Sequence, residues 1–204
     1  MRKSLTQLYV LLIIICIPSL YYWLTGVNWN INNLTVINTF PIFGLLAFNI
    51  MWLHLMIAWY RRYNPDKFNY KKFFRQTSNL VLALIIIHPM LIIWKSLSIG
   101  VKPLDFAGNQ GRISILFGAI ALTIFLLYEV IDRMRQKPVV QNNWPYVVAI
   151  NRAGLILIYF HALKLGTNLQ NGPFKLLWIF YGISLVAYYL SSYIKEIPRD
   201  NQPT

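Results

Sequence analysis

The chain has 204 residues, of which 57% are hydrophobic and only 12% are charged, a composition that excludes an ordinary soluble domain. Lysine and arginine outnumber aspartate and glutamate by 19 to 6, an excess that in a soluble protein would indicate a nucleic-acid partner. Here the basic residues lie between apolar stretches, so they indicate membrane topology and no nucleic acid is expected.

Six stretches are apolar enough, over about 20 residues, to cross a bilayer as helices. In chain order they cover residues 8–24, 42–60, 80–96, 113–131, 147–165 and 174–193. The sequence therefore predicts an all-α integral membrane protein, a single bundle of six transmembrane helices over residues 1–204. No internal repeat is evident. The first stretch lacks a small-residue cleavage site after Leu24, so we expect it to remain as an anchor.

The basic residues predict the orientation of the bundle, because cytoplasmic loops retain an excess of lysine and arginine. The N-terminus, the second and fourth connections and the C-terminal tail are all basic, whereas the other loops carry few charges. Both termini are predicted on the cytoplasmic side of what we expect to be a bacterial inner membrane. The basic and aromatic stretch 61–76 is expected to meet anionic lipid. The residues behind this assignment include Arg2, Lys3, Arg61, Arg62, Arg133, Arg135, Lys195 and Arg199.

Cysteine chemistry offers no internal mechanism, because Cys16 is the only cysteine and lies within an apolar stretch. Glu129 and Arg152 lie near the cytoplasmic ends of their helices, where we expect them to reach water or to pair with each other. No charged group lies near the middle of the membrane, which makes a transporter the weakest hypothesis.

The three histidines are the candidates for function, because His54, His88 and His161 all lie within predicted spans, where ionisable groups are costly. His88 and His161 lie in apolar stretches without a nearby acid. Two imidazoles from separate helices can fill both axial positions of a b-type haem, the alternative being a hydrogen bond from each to a neighbouring helix. Counted from the external lysines, their depths differ by about 6 Å, which helix tilt would have to absorb.

Several short motifs resemble a known family over residues 44–189. The chain is similar to the ferric reductase-like transmembrane domain of ferric reductases, NADPH oxidases, STEAP metalloreductases and the haem-binding membrane subunit of methionine sulfoxide reductase. The motifs are GLLA at Gly44–Ala47, the basic inner loop, His88-Pro89, GRISILFG at Gly111–Gly118, and Trp144 followed by His161-Ala162-Leu163.

The resemblance implies one haem b, with His88 and His161 as the axial ligands of its iron. Lys95, Arg112 and Lys164 are the candidates to neutralise the haem propionates at the external face. Family members commonly carry a second histidine on each of these helices about four turns earlier. This chain has none at those positions, so only the outer haem is expected.

The electron donor is expected to be separate, because the chain ends at Thr204 without the flavin and nicotinamide domain of the larger family members. A partner flavoprotein carrying FAD, or membrane quinol, would serve from the cytoplasmic side. His54 is a candidate for a second site that contacts a quinone, a flavin or an inner cofactor, against the alternative of a plain interhelical hydrogen bond.

Two functions from different classes follow. The first is a membrane electron-transfer component of an oxidoreductase, which relays single electrons to an external acceptor such as ferric iron, oxygen or a periplasmic redox protein; no catalytic residue is assigned. The alternative is a non-redox scaffold or assembly subunit derived from the same fold, which the missing second histidines favour.

Overall fold

The structure is a computed structural model that describes residues 5–65, 67–166, 169 and 172–196, with the side chains of 110 and 192–196 left out. Within these residues the secondary structure is helical, without strands. Six long helices and one short helix, α5, follow one another, and two 3₁₀ turns lie in loops at Ile31–Asn33 and Pro103–Asp105. The helices are α1 (Leu5–Gly26), α2 (Val36–Arg61), α3 (Tyr70–Ser98), α4 (Gly108–Arg133), α5 (Pro138–Asn142), α6 (Trp144–Leu165) and α7 (Gly172–Glu196).

The six long helices are long and apolar enough to cross a membrane, so the chain is a six-helix, multi-pass integral membrane protein. Each contains its predicted apolar stretch and extends beyond it. The largest extension is in α3, which begins at Tyr70, where the Asn69 side chain accepts a hydrogen bond from the Lys72 backbone N–H. Residues 70–79 are amphipathic and bury Tyr70 and Phe73, so hydropathy alone did not include them.

Helix α2 lies at the centre of the bundle and contacts helices on several sides. The buried Asn49 side chain donates to the Ser19 hydroxyl on α1 at 2.7 Å. The Trp52 indole N–H donates to the Ser184 hydroxyl on α7 at 2.8 Å. Phe48 is stacked on the fully buried Trp178, with ring centroids 4.5 Å apart. These contacts fix the position of α2 relative to α1 and α7.

Two antiparallel helix pairs, α2 with α3 and α4 with α6, have the closest packing in the bundle. A small residue allows the second pair to approach, because a Cβ atom on Gly154 of α6 would lie 3.0 Å from side-chain atoms of Ile124 and of Phe125 on α4. His88 lies on α3 of the first pair, and His161 lies on α6 of the second pair. The packing of the two pairs against each other therefore determines whether the two histidines meet.

Charged residues near the helix ends predicted to be cytoplasmic have partners within the bundle. Glu129 accepts hydrogen bonds from Arg133 one turn later at 3.1 and 3.2 Å. Arg152 instead donates to the Tyr188 hydroxyl on α7 at 3.3 Å and lies 5.4 Å from the centre of its ring. In the described part of the chain, Glu129 and Arg152 therefore do not form the ion pair considered from the sequence.

The orientation of the bundle stays a prediction. Arg2, Lys3 and Arg199, which contribute to it, lie outside the described residues, as does the side chain of Lys195.

Candidate functional site

His88 of α3 and His161 of α6 face each other across the two helix pairs. Their ring centroids are 6.3 Å apart, and their ring planes are nearly perpendicular, at 85°. The depth difference of about 6 Å expected from ideal helices does not keep the two rings apart. The structure thus brings together the two histidines that the sequence singled out.

Both imidazoles are held by backbone carbonyls through the same ring nitrogen. Nδ1 of His88 lies 2.8 Å from the carbonyl oxygen of Phe40, and Nδ1 of His161 lies 2.7 Å from that of Ser114. A carbonyl oxygen only accepts, so each neutral ring carries its proton on Nδ1 and donates it. The lone pair is then on Nε2, which is the tautomer that metal-binding histidines use.

Neither Nε2 atom makes a hydrogen bond within the described part of the chain. The interhelical hydrogen bond that was the alternative explanation for each histidine is therefore present, but it engages only Nδ1. Hydrogen bonding and metal ligation are compatible here, because they use different nitrogens of the same ring.

The separation of the rings fits a single metal ion between them. With nitrogen–metal bonds of about 2 Å, as in imidazole–zinc sites, two imidazoles on opposite sides of one ion have centroids about 6 Å apart. The observed 6.3 Å agrees with this value. Perpendicular planes do not prevent it, since each ring plane still contains its own metal–nitrogen bond.

The ligand set suits a haem better than a bare ion. Among the described residues, no group of three or more histidine, cysteine, aspartate or glutamate side chains is placed to hold a metal. A structural zinc ion needs four such ligands and a catalytic one needs three. Two imidazoles suffice for an iron whose remaining positions are filled by a macrocycle, so the residues present fit a b-type haem.

A glycine lies against each imidazole. A Cβ atom on Gly44 of α2 would lie 2.9 Å from Cε1 of His88, and one on Gly118 of α4 would lie 2.6 Å from Nδ1 of His161. Each glycine follows, by one helical turn, the residue whose carbonyl accepts from the same ring. We call each carbonyl and glycine together a cradle: Phe40 with Gly44, and Ser114 with Gly118.

Both glycines belong to the short motifs that resemble the family, but their contacts with the histidines were not predicted from those motifs. One signal was present: Gly44 precedes His88 by 44 residues, and Gly118 precedes His161 by 43. Each helix pair thus places a glycine of its first helix against a histidine of its second helix. Patterns of single residue types along the sequence did not show this repeat.

The three cations expected near the haem propionates lie toward the helix ends that the sequence predicts to be external. Lys95 follows His88 on α3 and is half-buried, and Lys164 follows His161 on α6 and is exposed. Arg112 already pairs with Asp105, with Nε 2.8 Å from the carboxylate. This ion pair with Asp105 was not predicted from the sequence. Neither Lys95 nor Lys164 takes part in a salt bridge of the described residues.

His54 forms a hydrogen bond between α2 and α3. Its Nε2 lies 2.6 Å from the Thr77 hydroxyl, which itself donates to the Phe73 carbonyl at 2.8 Å. Nε2 of His54 is therefore the donor, and its ring packs edge-on against Phe73 and Phe74. This is the plain interhelical contact weighed against a second cofactor site.

A cavity of about 530 Å³ lies nearby, where the start of α1 meets the end of α2 and the loop that follows. Apolar and aromatic residues such as Met56, Tyr60 and Phe68 line it, and His54 is not among them. At its rim, Lys67 donates to the Tyr60 hydroxyl at 2.7 Å, and this hydrogen bond raises the pKa of Lys67.

No protein-family model, curated protein or solved structure matches the chain.

Proposed function

We propose that the protein is a b-type haem membrane protein of the ferric reductase-like kind, which relays single electrons to an acceptor on the external side of the membrane. The observation that carries this proposal is the facing pair of His88 and His161, each with Nδ1 bound to a carbonyl and Nε2 left for a ligand bond. A bound haem would supply reversible one-electron transfer.

The residues of the chain hold and tune this group. Donation from Nδ1 to a carbonyl makes Nε2 a stronger ligand, and it prevents the ring from rotating away. The apolar faces of α3 and α6 keep water from the iron. Lys95 and Lys164 place positive charge at the external end, where it can pair with propionates.

The donor approaches from the opposite end of the bundle. A partner flavoprotein carrying FAD would find cations around the loop between α2 and α3, including Lys67 in the loop and Lys71 in the first turn of α3, and anionic lipid would meet the same surface. Membrane quinol is the other donor, and the apolar cavity beside Met56 and Tyr60 is large enough for part of a lipid-like molecule. In either case the chain is the membrane component of an oxidoreductase.

The test is the spectrum of the purified protein, expressed with haem supplied and extracted in mild detergent. We expect a reduced-minus-oxidised difference spectrum typical of low-spin, bis-imidazole haem b, with one haem per chain. Colourless protein that is folded and monodisperse would overturn the proposal and leave the non-redox scaffold.

The external lysines should raise the reduction potential of the haem, because positive charge favours the added electron. Replacing Lys95 and Lys164 together with glutamine should lower the midpoint potential by roughly tens of millivolts. Potentiometric titration of the haem spectrum measures this shift. Lys175→Gln is the matched control, since Lys175 is exposed and lies on α7, which carries neither histidine. An equal shift in the control would contradict a role for the two lysines.

A further inference from the structure

Two features recur at both histidines: a carbonyl that accepts from Nδ1, and a glycine one turn later that lies against the ring. We propose that Gly44 and Gly118, each with the carbonyl of its cradle, are positioning residues that hold the two imidazole planes nearly perpendicular. This inference rests on the proposed haem and deepens it, because it names the residues that set the geometry of the iron ligands.

The first cradle fixes the ring of His88. The Phe40 carbonyl holds Nδ1 at 2.8 Å. A Cβ atom on Gly44 would lie 2.9 Å from Cε1 and 3.0 Å from Nδ1, closer than side chains normally approach. The ring therefore occupies space that any other residue at position 44 would fill, and its hydrogen bond prevents it from turning to make room.

The second cradle is tighter. Nδ1 of His161 lies 2.7 Å from the Ser114 carbonyl. A Cβ atom on Gly118 would lie 2.6 Å from Nδ1 and 2.7 Å from Cε1. An added methyl group must push the ring away from the carbonyl, so the hydrogen bond and the ring orientation change together.

Close helix packing alone does not explain these glycines. Gly154 serves that purpose between α4 and α6, and its neighbours are the side chains of Ile124 and Phe125. Gly44 and Gly118 instead have atoms of the imidazoles as their three nearest neighbours. The same arrangement occurs once in each helix pair, which is what a site built for two matched ligands requires.

The angle between the planes has a measurable consequence. Each imidazole donates π density to one d orbital of a low-spin ferric iron, the orbital that its plane selects. Parallel planes raise one orbital and give a rhombic electron paramagnetic resonance spectrum, whereas perpendicular planes affect two orbitals almost equally. The cradles set the planes 85° apart, so they should produce a highly anisotropic spectrum with a single prominent signal at high g-value.

Electron paramagnetic resonance of the oxidised, haem-loaded protein tests this inference. The wild type should show the high-g signal. Gly118→Ala should move that signal toward the rhombic pattern, and Gly44→Ala should do so by less, because its crowding is milder. The matched control is Gly154→Ala, which crowds the same helix pair at Ile124 and Phe125 but has neither imidazole among its nearest atoms, so it should change the spectrum less than Gly118→Ala does.

Each outcome bears on the inference. Haem loss from Gly118→Ala with a wild-type elution volume supports it, provided that Gly154→Ala retains haem. An unchanged spectrum in a folded Gly118→Ala protein overturns it, and so does a rhombic wild-type spectrum, which needs no variant. A wild type that binds no haem overturns the proposed function first, and with it this inference; haem binding with parallel planes overturns this inference alone.

Discussion

Replacing either His88 or His161 with alanine should abolish the low-spin haem spectrum. The two imidazoles face each other at 6.3 Å, so one without the other leaves the iron a single protein ligand. Among the described residues, no third histidine, cysteine, aspartate or glutamate is grouped with the pair to substitute for the lost ligand. The difference spectrum of each purified variant, scaled to protein concentration, measures the loss.

His54→Ala is the matched control for these variants, because it also removes a histidine from the interior of the bundle. Its Nε2 donates to the Thr77 hydroxyl, so His54 is not expected to bind the haem held by the other two histidines. We expect His54→Ala to lose some stability, about 1 kcal/mol, and to keep the haem signal. A signal that survives in His161→Ala, or that disappears from a folded His54→Ala protein, would contradict the assignment of the ligand pair.

The second large effect should be on stability. Trp178 on α7 is fully buried against Phe48 and Tyr159, and its carbonyl accepts from the Tyr159 hydroxyl at 2.9 Å. Trp178→Ala should therefore cost about 3–5 kcal/mol, as expected for removing a large aromatic side chain from a packed core. Unfolding in detergent, followed by tryptophan fluorescence or circular dichroism, measures this cost.

Trp94→Ala provides the comparison, since Trp94 is 63% exposed on α3 in the same bundle. It should change stability by less than about 1 kcal/mol. Similar losses in the two variants would mean that the aromatic packing of α2 with α6 and α7 does not stabilise the fold. Because Tyr159 lies two residues before His161, Trp178→Ala should also weaken haem retention, although it contacts neither ligand.

Hydropathy was sufficient to predict the six helices, because each must present about 20 apolar residues to lipid whatever its neighbours are. It did not predict where α3 begins. Tyr70 and Phe73 are buried by contacts with other helices, and the charged residues between them lower the local hydropathy. A local average of hydropathy cannot predict a helix end that depends on tertiary packing.

The histidine pair could be selected from the sequence because an imidazole in an apolar helix is costly. The two cradles could not be predicted from the sequence. Phe40 and Ser114 contribute backbone carbonyls, so their side chains give no indication of the contact. Gly44 and Gly118 become informative only when the helices that face them are known.

Among the charged residues, too, a contact within one helix can be predicted from the sequence, whereas a contact between helices cannot. Glu129 and Arg133 are four residues apart on one helix, a spacing from which an ion pair can be predicted. Arg152 and Tyr188 are on different helices, and nothing in their spacing along the chain indicates that they meet.

The central place of α2 has a consequence for how the protein is made. Its Trp52 indole N–H donates to the Ser184 hydroxyl on α7, which is synthesised after the other described helices. Before α7 inserts, the face of α2 that carries Phe48 and Trp52 is exposed to lipid. After insertion, Trp178 and Tyr181 of α7 pack against that face. The helices around His88 and His161 are therefore fully packed only once α7 is in place, and on the proposed function haem loading should follow the insertion of α7.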